Sequence, residues 1–189
     1  MNRQELMKKI EAYRPFNEQE EKDKEVILSA LKNDERVFYR DNLFYHMSAS
    51  CWIVNPKRDK VLLCYHKIYR SWTWLGGHAD GNENLLSVAL KEAKEESSLL
   101  HITPVTDEIL SLEVLTVNGH VKKGSYVPSH LHLNVTYLLE ANEADILKAK
   151  EDENLGLRWF KKEEVLAASS EPWLVENIYP KLIAKMTRI

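Results

Sequence analysis

Three glutamates gather in one short stretch of the chain. Glu92, Glu95 and Glu96 lie three and four residues apart in a run that reads as helix. Side chains at these offsets share one face of an α-helix, so the three carboxylates are expected close together. Grouped carboxylates repel one another unless a cation lies between them, and Mg²⁺ and Mn²⁺ take carboxylate oxygens as ligands. The spacing therefore predicts a divalent-metal site on this helix.

A loop rich in glycine and turn-forming residues leads into the helix. It begins at Gly76 and Gly77 and reaches Glu83 before the helical run starts. Such residues reverse the chain tightly and let the backbone approach a neighbouring group closely. Four apolar residues fall on an arc beside the glutamates and are expected to pack inward: Leu86, Ala89, Leu90 and Ala93.

This loop and helix together resemble the Nudix box, whose pattern is G-x5-E-x7-R-E-U-x-E-E-x-G-U, where U is a bulky aliphatic residue. The resemblance covers residues 77–99 with the glutamates correctly spaced, which makes it far more specific than a lone glycine-rich loop. The matching residues are Gly77, Glu83, Glu92, Glu95, Glu96 and Leu99.

Three positions depart from that pattern without removing a metal ligand. Lys91 replaces the arginine and keeps its charge, but it lacks the fork that holds a carboxylate with two hydrogen bonds. Ala93 replaces a larger aliphatic residue, and Ser98 replaces the glycine. Serine in a left-handed helix end costs about 1 kcal/mol relative to glycine. A solvated acidic helix, which Lys91 and Lys94 would allow in part, is the alternative interpretation.

The resemblance implies a fold and a reaction. The expected fold is α/β, a Nudix-type α/β/α sandwich with a mixed sheet and an N-terminal helical extension. The implied reaction is hydrolysis of the pyrophosphate linkage in a nucleoside diphosphate linked to another moiety, with Mg²⁺ or Mn²⁺ as cofactor. The partner is then a small nucleotide-type diphosphate, and ADP-ribose, nucleotide sugars, oxidised nucleotides, dinucleotide polyphosphates and diphospho-alcohols are all open.

The resemblance also implies roles for single residues. Glu92, Glu95 and Glu96 would hold the metal, with the backbone of Gly77 beside it, and Lys91 would orient a glutamate. The base that deprotonates water would be one of these glutamates or one from a later acidic loop. That loop precedes Trp159 and Phe160, as in a late Nudix segment, and its candidates are Glu153 first and Glu151 second, with a solvated loop as the alternative.

The chain before the box reads as two helices and a hairpin. Residues 2–13 and 17–33 are predicted helices, the second with Asn17 and Glu20 in an N-terminal capping arrangement. We expect residues 1–35 to form an extension packed on the domain or on a dimer partner, and residues 36–189 to form the Nudix domain. Residues 46–54 and 60–66 are the predicted hairpin strands.

Basic and aromatic residues lie just before the box. Arg70 and His66 could bind a phosphate, and Trp72 and Trp74 could stack on a base. A packed aromatic cluster is the favoured interpretation for the two tryptophans. For Arg70 and His66 ligand binding and a structural role are equally open.

The chain after the box reads as strand, loop and strand, at 109–117, 118–129 and 130–137, with a closing helix at 172–186. In the second strand, alternation puts His130, His132 and Asn134 on one face. We expect structural histidines first and substrate contacts second. A zinc site comes third, because no third ligand is evident at a suitable spacing.

The whole composition limits the function classes. A net charge of −3 over 189 residues gives no electrostatic case for bulk nucleic-acid binding. No apolar run approaches the ~20 residues that cross a bilayer, and the first residues lack a signal-peptide core. Cys51 and Cys64 lie in apolar runs and are expected as buried thiols, which suits a cytoplasmic protein.

Two other function classes stay open. Lys91 and Ser98 favour a ligand sensor of the same fold that does not cleave its ligand. An enzyme like isopentenyl-diphosphate isomerase would need an activated cysteine, and neither cysteine has an activating neighbour in the sequence.

Overall fold

A mixed β-sheet lies at the centre of the chain, flanked by helices. The structure is a computed structural model and describes residues 1–122, 124–150 and 154–188. Its helices are α1 (Arg3–Ala12), α2 (Glu18–Asn33), α3 (Leu85–Ser97), α4 (Val165–Ala168) and α5 (Tyr179–Met186), with a π-helical turn at Leu174–Ile178. Its strands are β1 (Tyr45–Val54), β2 (Lys60–His66), β3 (Ser71–Thr73), β4 (Leu75–His78), β5 (Ile102–Pro104), β6 (Ser111–Val117), β7 (His120–Lys122), β8 (Ser125–Val127), β9 (His130–Ala141) and β10 (Asn154–Lys161).

The sheet is mixed because one central pair is parallel. Its order is β10-β2-β1-β9-β5, with β3 beside β2, β4 beside β1 and β6 beside β9. β1 and β9 run parallel over their whole shared length, whereas the other pairs are antiparallel. β7 and β8 form a separate hairpin. The predicted α/β fold with a mixed sheet is confirmed.

The segment that leads into the box loop, β3 and β4, lies between β1 and β2 in the sheet. β1 and β2 pair at Ile53–Leu62 and Val54–Val61, next to their turn. Beyond that point the β3–β4 segment fills the space between them, because β3 pairs with β2 and β4 pairs with β1. The two glycines of β4 are therefore held against the backbone of β1.

Two apolar clusters lie on the two faces of the sheet. Met47, Cys51 and Ile53 of β1 belong to the cluster that also contains apolar residues of α1, α2 and α3. Trp52 and Val54, which alternate with them, belong to the cluster that contains apolar residues of α5. The sheet thus lies between two helical layers, as predicted for the sandwich.

The two N-terminal helices join the same core as the box helix. Asn17 accepts a hydrogen bond from the Glu20 N–H, which confirms the predicted cap of α2. Arg3 of α1 donates to the Leu31 carbonyl at 2.7 Å and to the Asp34 carbonyl at 2.8 Å, which fastens the two helices together. The division of the chain at residue 35 stays a prediction.

Three local expectations need correction or detail. The predicted loop at 118–129 contains the β7–β8 hairpin, and Gly124, with a φ of 83°, supplies the backbone conformation of its turn. β5 was not predicted, because three residues carry too little periodicity.

The closing helix is confirmed, but it has a π-helical turn before α5, where the Tyr179 N–H donates to the Leu174 carbonyl. Pro180 lacks the N–H that would continue ordinary α-helical bonding there.

Candidate active site

The diglycine lets the box helix approach the sheet. In β4, Gly76 lies opposite Ser50 and Gly77 lies opposite Ala49. A Cβ atom on Gly77 would lie 2.5 Å from the carboxyl carbon of Glu92, and one on Gly76 would lie 2.6 Å from the Ala49 carbonyl oxygen. At Gly76 the contact is with backbone atoms of β1, so only glycine fits there, whereas a side chain at Gly77 would displace the carboxylate of Glu92.

The helix that carries the glutamates is capped at both ends. Asn84 is its N-cap, and the Asn84 side chain accepts from the Ser87 N–H. Ser98 ends it in the left-handed conformation, with a φ of 58°, as expected at a place where the family has glycine. The Ser98 hydroxyl donates to the Lys148 carbonyl at 3.1 Å, which compensates for part of the backbone strain.

The three glutamates occupy different positions around the diglycine. Glu96 is only 4% exposed and accepts a hydrogen bond from the Gly76 N–H at 3.2 Å. The side chain of Glu92 is 14% exposed and lies against Gly77, whereas that of Glu95 is 44% exposed at the rim. Glu92 and Glu96 are therefore brought together at the diglycine, and Glu95 faces outward beside them.

Lys91 lies between two of these carboxylates. Its Nζ is 3.7 Å from an oxygen of Glu92 and 3.7 Å from an oxygen of Glu95. Both are ion-pair distances, too long for hydrogen bonds. The orienting role of Lys91 stays a prediction.

A buried thiol lies under the carboxylates. Cys51 is fully buried and donates to the Leu75 carbonyl at 3.3 Å. Burial raises the pKa of this thiol well above its ordinary value, and the negative charges of Glu96 and Glu92 add to the effect. Cys64 is also buried, and the two cysteines are not joined in a disulfide, so the predicted pair of buried thiols is confirmed.

The first glutamate of the box connects the loop to the N-terminal helices. Glu83 accepts a hydrogen bond from the Arg3 N–H at 2.9 Å, at the first turn of α1. The loop is also held by Arg40, whose guanidinium donates two hydrogen bonds of 2.5 Å to the carboxylate of Asp80. The sequence reasoning gave no sign of the contact between α1 and the box loop.

His66 ends β2, and Arg70 lies in the turn between β2 and β3. Arg70 is exposed with a φ of 51°, and its N–H donates to the His66 carbonyl at 2.8 Å. The ring of His66 lies 4.6 Å from that of Tyr69. These contacts shape the turn, and ligand binding by either residue stays a prediction. Trp72 and Trp74 pack in the second apolar cluster, as expected.

The two predicted histidines of β9 join two others that the sequence did not connect with them. His132 pairs with His46 of β1, and the ring centroids lie 5.0 Å apart. His130 is 4.8 Å from His46, and His78 of β4 is 4.8 Å from His132. His46 and His78 were not among the predicted site residues. We call these four residues the histidine cluster.

Burial keeps part of the histidine cluster uncharged. Burial, with a smaller contribution from the neighbouring imidazoles, lowers the pKa of His78 to about 2 and that of His132 to about 3. Burial also lowers the pKa of His46. These rings are therefore neutral near pH 7.

The histidine cluster and the glutamates lie on opposite faces of β4. Successive residues of a strand point to opposite faces, so Gly77 faces α3 while His78 faces the other way, on the side of Ser48 and His46. Within the described ranges, the metal-ligating side chains that converge as a group of three are histidines and not the box glutamates.

A buried polar network continues from this face towards α2 and α5. Asn134 accepts from the hydroxyls of Ser48 and Ser50 at 3.1 and 2.9 Å, and it donates to Glu113 at 2.9 Å. Glu113 is ion-paired with the buried Lys181 at 3.1 Å. Lys181 also lies 3.2 Å from the carboxylate of Glu20, so the network joins α2, α5 and the sheet.

The candidate bases of the late acidic loop, Glu153 and Glu151, lie outside the described residues. Among the helices that the structure does describe, none combines the length and the apolar character that crossing a membrane requires.

Comparison with known proteins identifies the family. The family model described as the NUDIX domain matches residues 44–182, which is well over half of the chain. The chain therefore belongs to the Nudix family, hydrolases that act on nucleoside diphosphate derivatives. The resemblance noted in the sequence is confirmed.

Solved structures of similar fold agree with this assignment. A hydrolase of the NUDIX family from Clostridium perfringens is 25% identical with a TM-score of 0.51, and the match covers 72% of this chain and 95% of that one. A C. elegans Ap4A hydrolase is 20% identical with a TM-score of 0.55, covering 76% and 98%. The E. coli dihydroneopterin triphosphate pyrophosphohydrolase is 14% identical with a TM-score of 0.54, covering 73% and 94%. The comparison with curated protein sequences found no significant match.

Proposed function

We propose that this chain is a metal-dependent hydrolase that cleaves the pyrophosphate linkage of a small nucleotide-type diphosphate. The observation that carries the proposal is the placement of Glu92 and Glu96 against the diglycine of the box, in a chain that belongs to the Nudix family. A carboxylate as buried as that of Glu96 suits a site where charge is neutralised by a cation.

The donor set fits Mg²⁺ or Mn²⁺. Glu92, Glu95 and Glu96 offer carboxylate oxygens, and Gly77 offers backbone beside them; oxygen donors are what these hard cations prefer. A divalent cation held there would neutralise phosphate charge and make a water molecule easier to deprotonate. Glu95 is exposed and has freedom to turn inward.

The chain's own residues position the reaction. The Gly76 N–H fixes one oxygen of Glu96, and the Lys91 ammonium lies close enough to Glu92 and Glu95 to orient them. One of these glutamates, or Glu153, accepts the proton as the water oxygen attacks phosphorus and the bridging oxygen leaves with the second phosphate. Glu83 holds the loop in place through α1.

The substrate class is chosen by residues outside the box. Arg70 and His66 are our candidates for phosphate contact, because the exposed Arg70 lies in the turn that follows β2 and its N–H donates to the carbonyl of the half-buried His66 at the end of β2. We assign His130 and His132 a separate role, since they lie on the other face of β4. We also propose a cytoplasmic location, because Cys51 and Cys64 are not joined in a disulfide, and assembly as a homodimer.

A ligand sensor that does not cleave is the second candidate. The observation in its favour is the outward position of Glu95, away from the pair formed by Glu92 and Glu96. The isomerase alternative gains no support, because Cys51 and Cys64 are both buried and burial raises the pKa of Cys51.

A panel assay tests the proposal. Phosphate release is measured with Mg²⁺ and with Mn²⁺ across ADP-ribose, nucleotide sugars, oxidised nucleotides, dinucleotide polyphosphates and diphospho-alcohols. We expect cleavage of at least one class, lost in the double variant Glu95→Gln/Glu96→Gln and kept in Glu163→Gln, an exposed glutamate outside the box. Near wild-type turnover by the purified double variant would refute the assignment, and tight binding without release would favour the sensor.

A further inference from the structure

Three histidines from two strands converge at one point of the sheet. Each of His46, His130 and His132 offers a ring nitrogen, and these three nitrogens all lie within 4.8 Å of one another. We propose that they bind a transition-metal ion, with Zn²⁺ as the best-fitting cation, at a site distinct from the box carboxylates.

Backbone hydrogen bonds fix the tautomer of two of the rings. Nδ1 of His46 lies 3.2 Å from the Asn42 carbonyl, and Nδ1 of His130 lies 2.9 Å from the Pro128 carbonyl. A carbonyl oxygen only accepts, so Nδ1 must carry the proton in both rings. The lone pair then lies on Nε2, and many metal-bound histidines are oriented in the same way, by a carbonyl that accepts from the other ring nitrogen.

The lone pair of His46 has no hydrogen-bond partner in the part of the chain that the structure describes. His46 is 4% exposed, and among the described residues no hydrogen-bond partner reaches its Nε2. Buried polar atoms in folded proteins nearly always have a partner, so this atom calls for an explanation. Packing of neutral histidines alone would leave it unpartnered, whereas a bound cation would satisfy it.

The spacing of two of the three nitrogens suits a tetrahedral ion. Nε2 of His130 lies 3.2 Å from Nε2 of His132. Two nitrogens at zinc–nitrogen distances of 2.0–2.1 Å in tetrahedral geometry are roughly 3.3 Å apart. Without an ion, a hydrogen bond can join the two Nε2 atoms of His130 and His132 through one proton. A bound cation would take the place of that proton.

The donor set selects the class of cation. Imidazole nitrogens suit zinc, copper and nickel, whereas Mg²⁺ and Mn²⁺ prefer oxygens. The fourth member of the cluster, His78, packs on the rings of His46 and His132 with centroids 5.1 and 4.8 Å away. Three protein ligands leave one coordination position open for water or for a ligand atom, as in catalytic zinc sites.

Metal titration of the full chain tests this site. Zn²⁺ binding is measured by calorimetry after removal of metal with a chelator, and Co²⁺ binding is followed by the visible absorption of tetrahedral cobalt. We expect one ion per chain and at least about a hundredfold weaker binding in His46→Ala and His132→Ala. The control His101→Ala, which removes an exposed histidine of another segment, should bind like the wild type.

A second variant separates the two metal sites. Glu92→Gln/Glu96→Gln should keep the Co²⁺ signal, because the proposed ligands are all imidazoles. Loss of that signal in the glutamate variant, or binding that His46→Ala and His132→Ala leave unchanged, would overturn the proposal. So would a wild-type chain that binds no Zn²⁺ at all.

A measurement on the wild type tests the site even if the histidine variants fail to fold. Imidazole ¹⁵N signals are recorded during Zn²⁺ titration, and the signals of His46, His130 and His132 should shift together while that of His101 stays in place. Unchanged signals for those three residues would also overturn the proposal.

Discussion

Different metal-ligating groups lie on the two faces of β4, carboxylates on one and imidazoles on the other. On one face, Gly77 lies against the carboxylate of Glu92, and Glu96 accepts from the neighbouring Gly76 N–H. On the other face, His78 packs against the imidazoles of His46 and His132. Strand alternation alone separates them, so a single short strand keeps hard oxygen donors apart from borderline nitrogen donors.

The two faces also differ in how the chain assembles them. Gly76 and Glu96 are 20 residues apart, and one loop and one helix bring them together. The histidine face depends on the parallel pairing of β1 with β9, and the hydrogen-bonded Ser48 and Asn134 beside it are 86 residues apart. A local sequence motif therefore predicts the carboxylate face, whereas the histidine face forms only when distant strands pair in the complete sheet.

The largest expected effect is on turnover at the carboxylate face. Glu96→Gln keeps the shape of the side chain but removes the charge, so kcat/KM should fall on the order of a thousandfold, about 4 kcal/mol of transition-state stabilisation. The exposed Glu163→Gln is the matched control, and circular dichroism confirms the fold. Turnover within threefold of the wild type would show that this face holds no catalytic metal.

The next largest effect is on stability, in the buried network behind the histidine face. Burial by itself would raise the pKa of Glu20, but the ammonium groups of Lys181 and Lys185 outweigh it and lower the pKa to about 2. Its stabilising contribution is thus complete above pH 4.5, its ordinary pKa, and is lost as the pH falls towards 2. The free energy of unfolding should fall by about 3 kcal/mol over this range.

Glu20→Gln provides the comparison for that measurement. Urea unfolding at stepped pH should give a clearly flatter dependence below pH 4.5 in the variant than in the wild type, because the titrating group is gone. Identical slopes would mean that Glu20 is not held in its charged form.

A smaller effect is expected from one added methyl group on the carboxylate face. Gly77→Ala places a Cβ 2.5 Å from the Glu92 carboxyl carbon, so that side chain must move. Turnover should fall about ten- to a hundredfold, roughly 1.4–2.7 kcal/mol, with the fold retained. Gly156→Ala is the control, because its Cβ would meet only Trp72 at 3.9 Å. Equal activity of the two variants would contradict the close approach of α3 to β4.

The smallest effect is at the end of the box helix. Ser98→Gly relieves a φ of 58° and should raise the free energy of unfolding by up to about 1 kcal/mol, which is a melting temperature roughly 2–4 °C higher. Turnover should not change, because the residue lies beyond the carboxylates. A lower melting temperature would mean that the hydrogen bond from Ser98 to Lys148 outweighs the strain.

Local signals explain what the sequence predicted well. The box loop and α3 follow from glycines and glutamates at fixed spacing, and the start of α2 follows from Asn17 with Glu20 three residues on. β1, β2 and β9 follow from apolar runs and alternation. Each of these signals lies within one element, where side-chain period and backbone conformation determine the outcome.

Long-range pairing explains what the sequence did not show. His46 and His132 meet because β1 and β9 run parallel in one particular register, which no single segment specifies. Lys181 resembles an ordinary helix-surface lysine in the sequence, yet it is buried between Glu20 and Glu113. The polar residues His46, Ser48 and Ser50 alternate with apolar ones along β1, as polar residues do along β9. This alternation predicts a polar face on each strand, but it does not predict which side chains meet there.

The central claim is that β4 separates two cation sites of different chemistry, and anomalous diffraction tests it most directly. Crystals of the wild-type chain are grown with both Mn²⁺ and Zn²⁺, and data are collected on either side of each metal's absorption edge. We predict manganese among Glu92, Glu95 and Glu96 and zinc among the rings of His46, His130 and His132. Both metals at one face, or neither metal at these residues, would contradict the account.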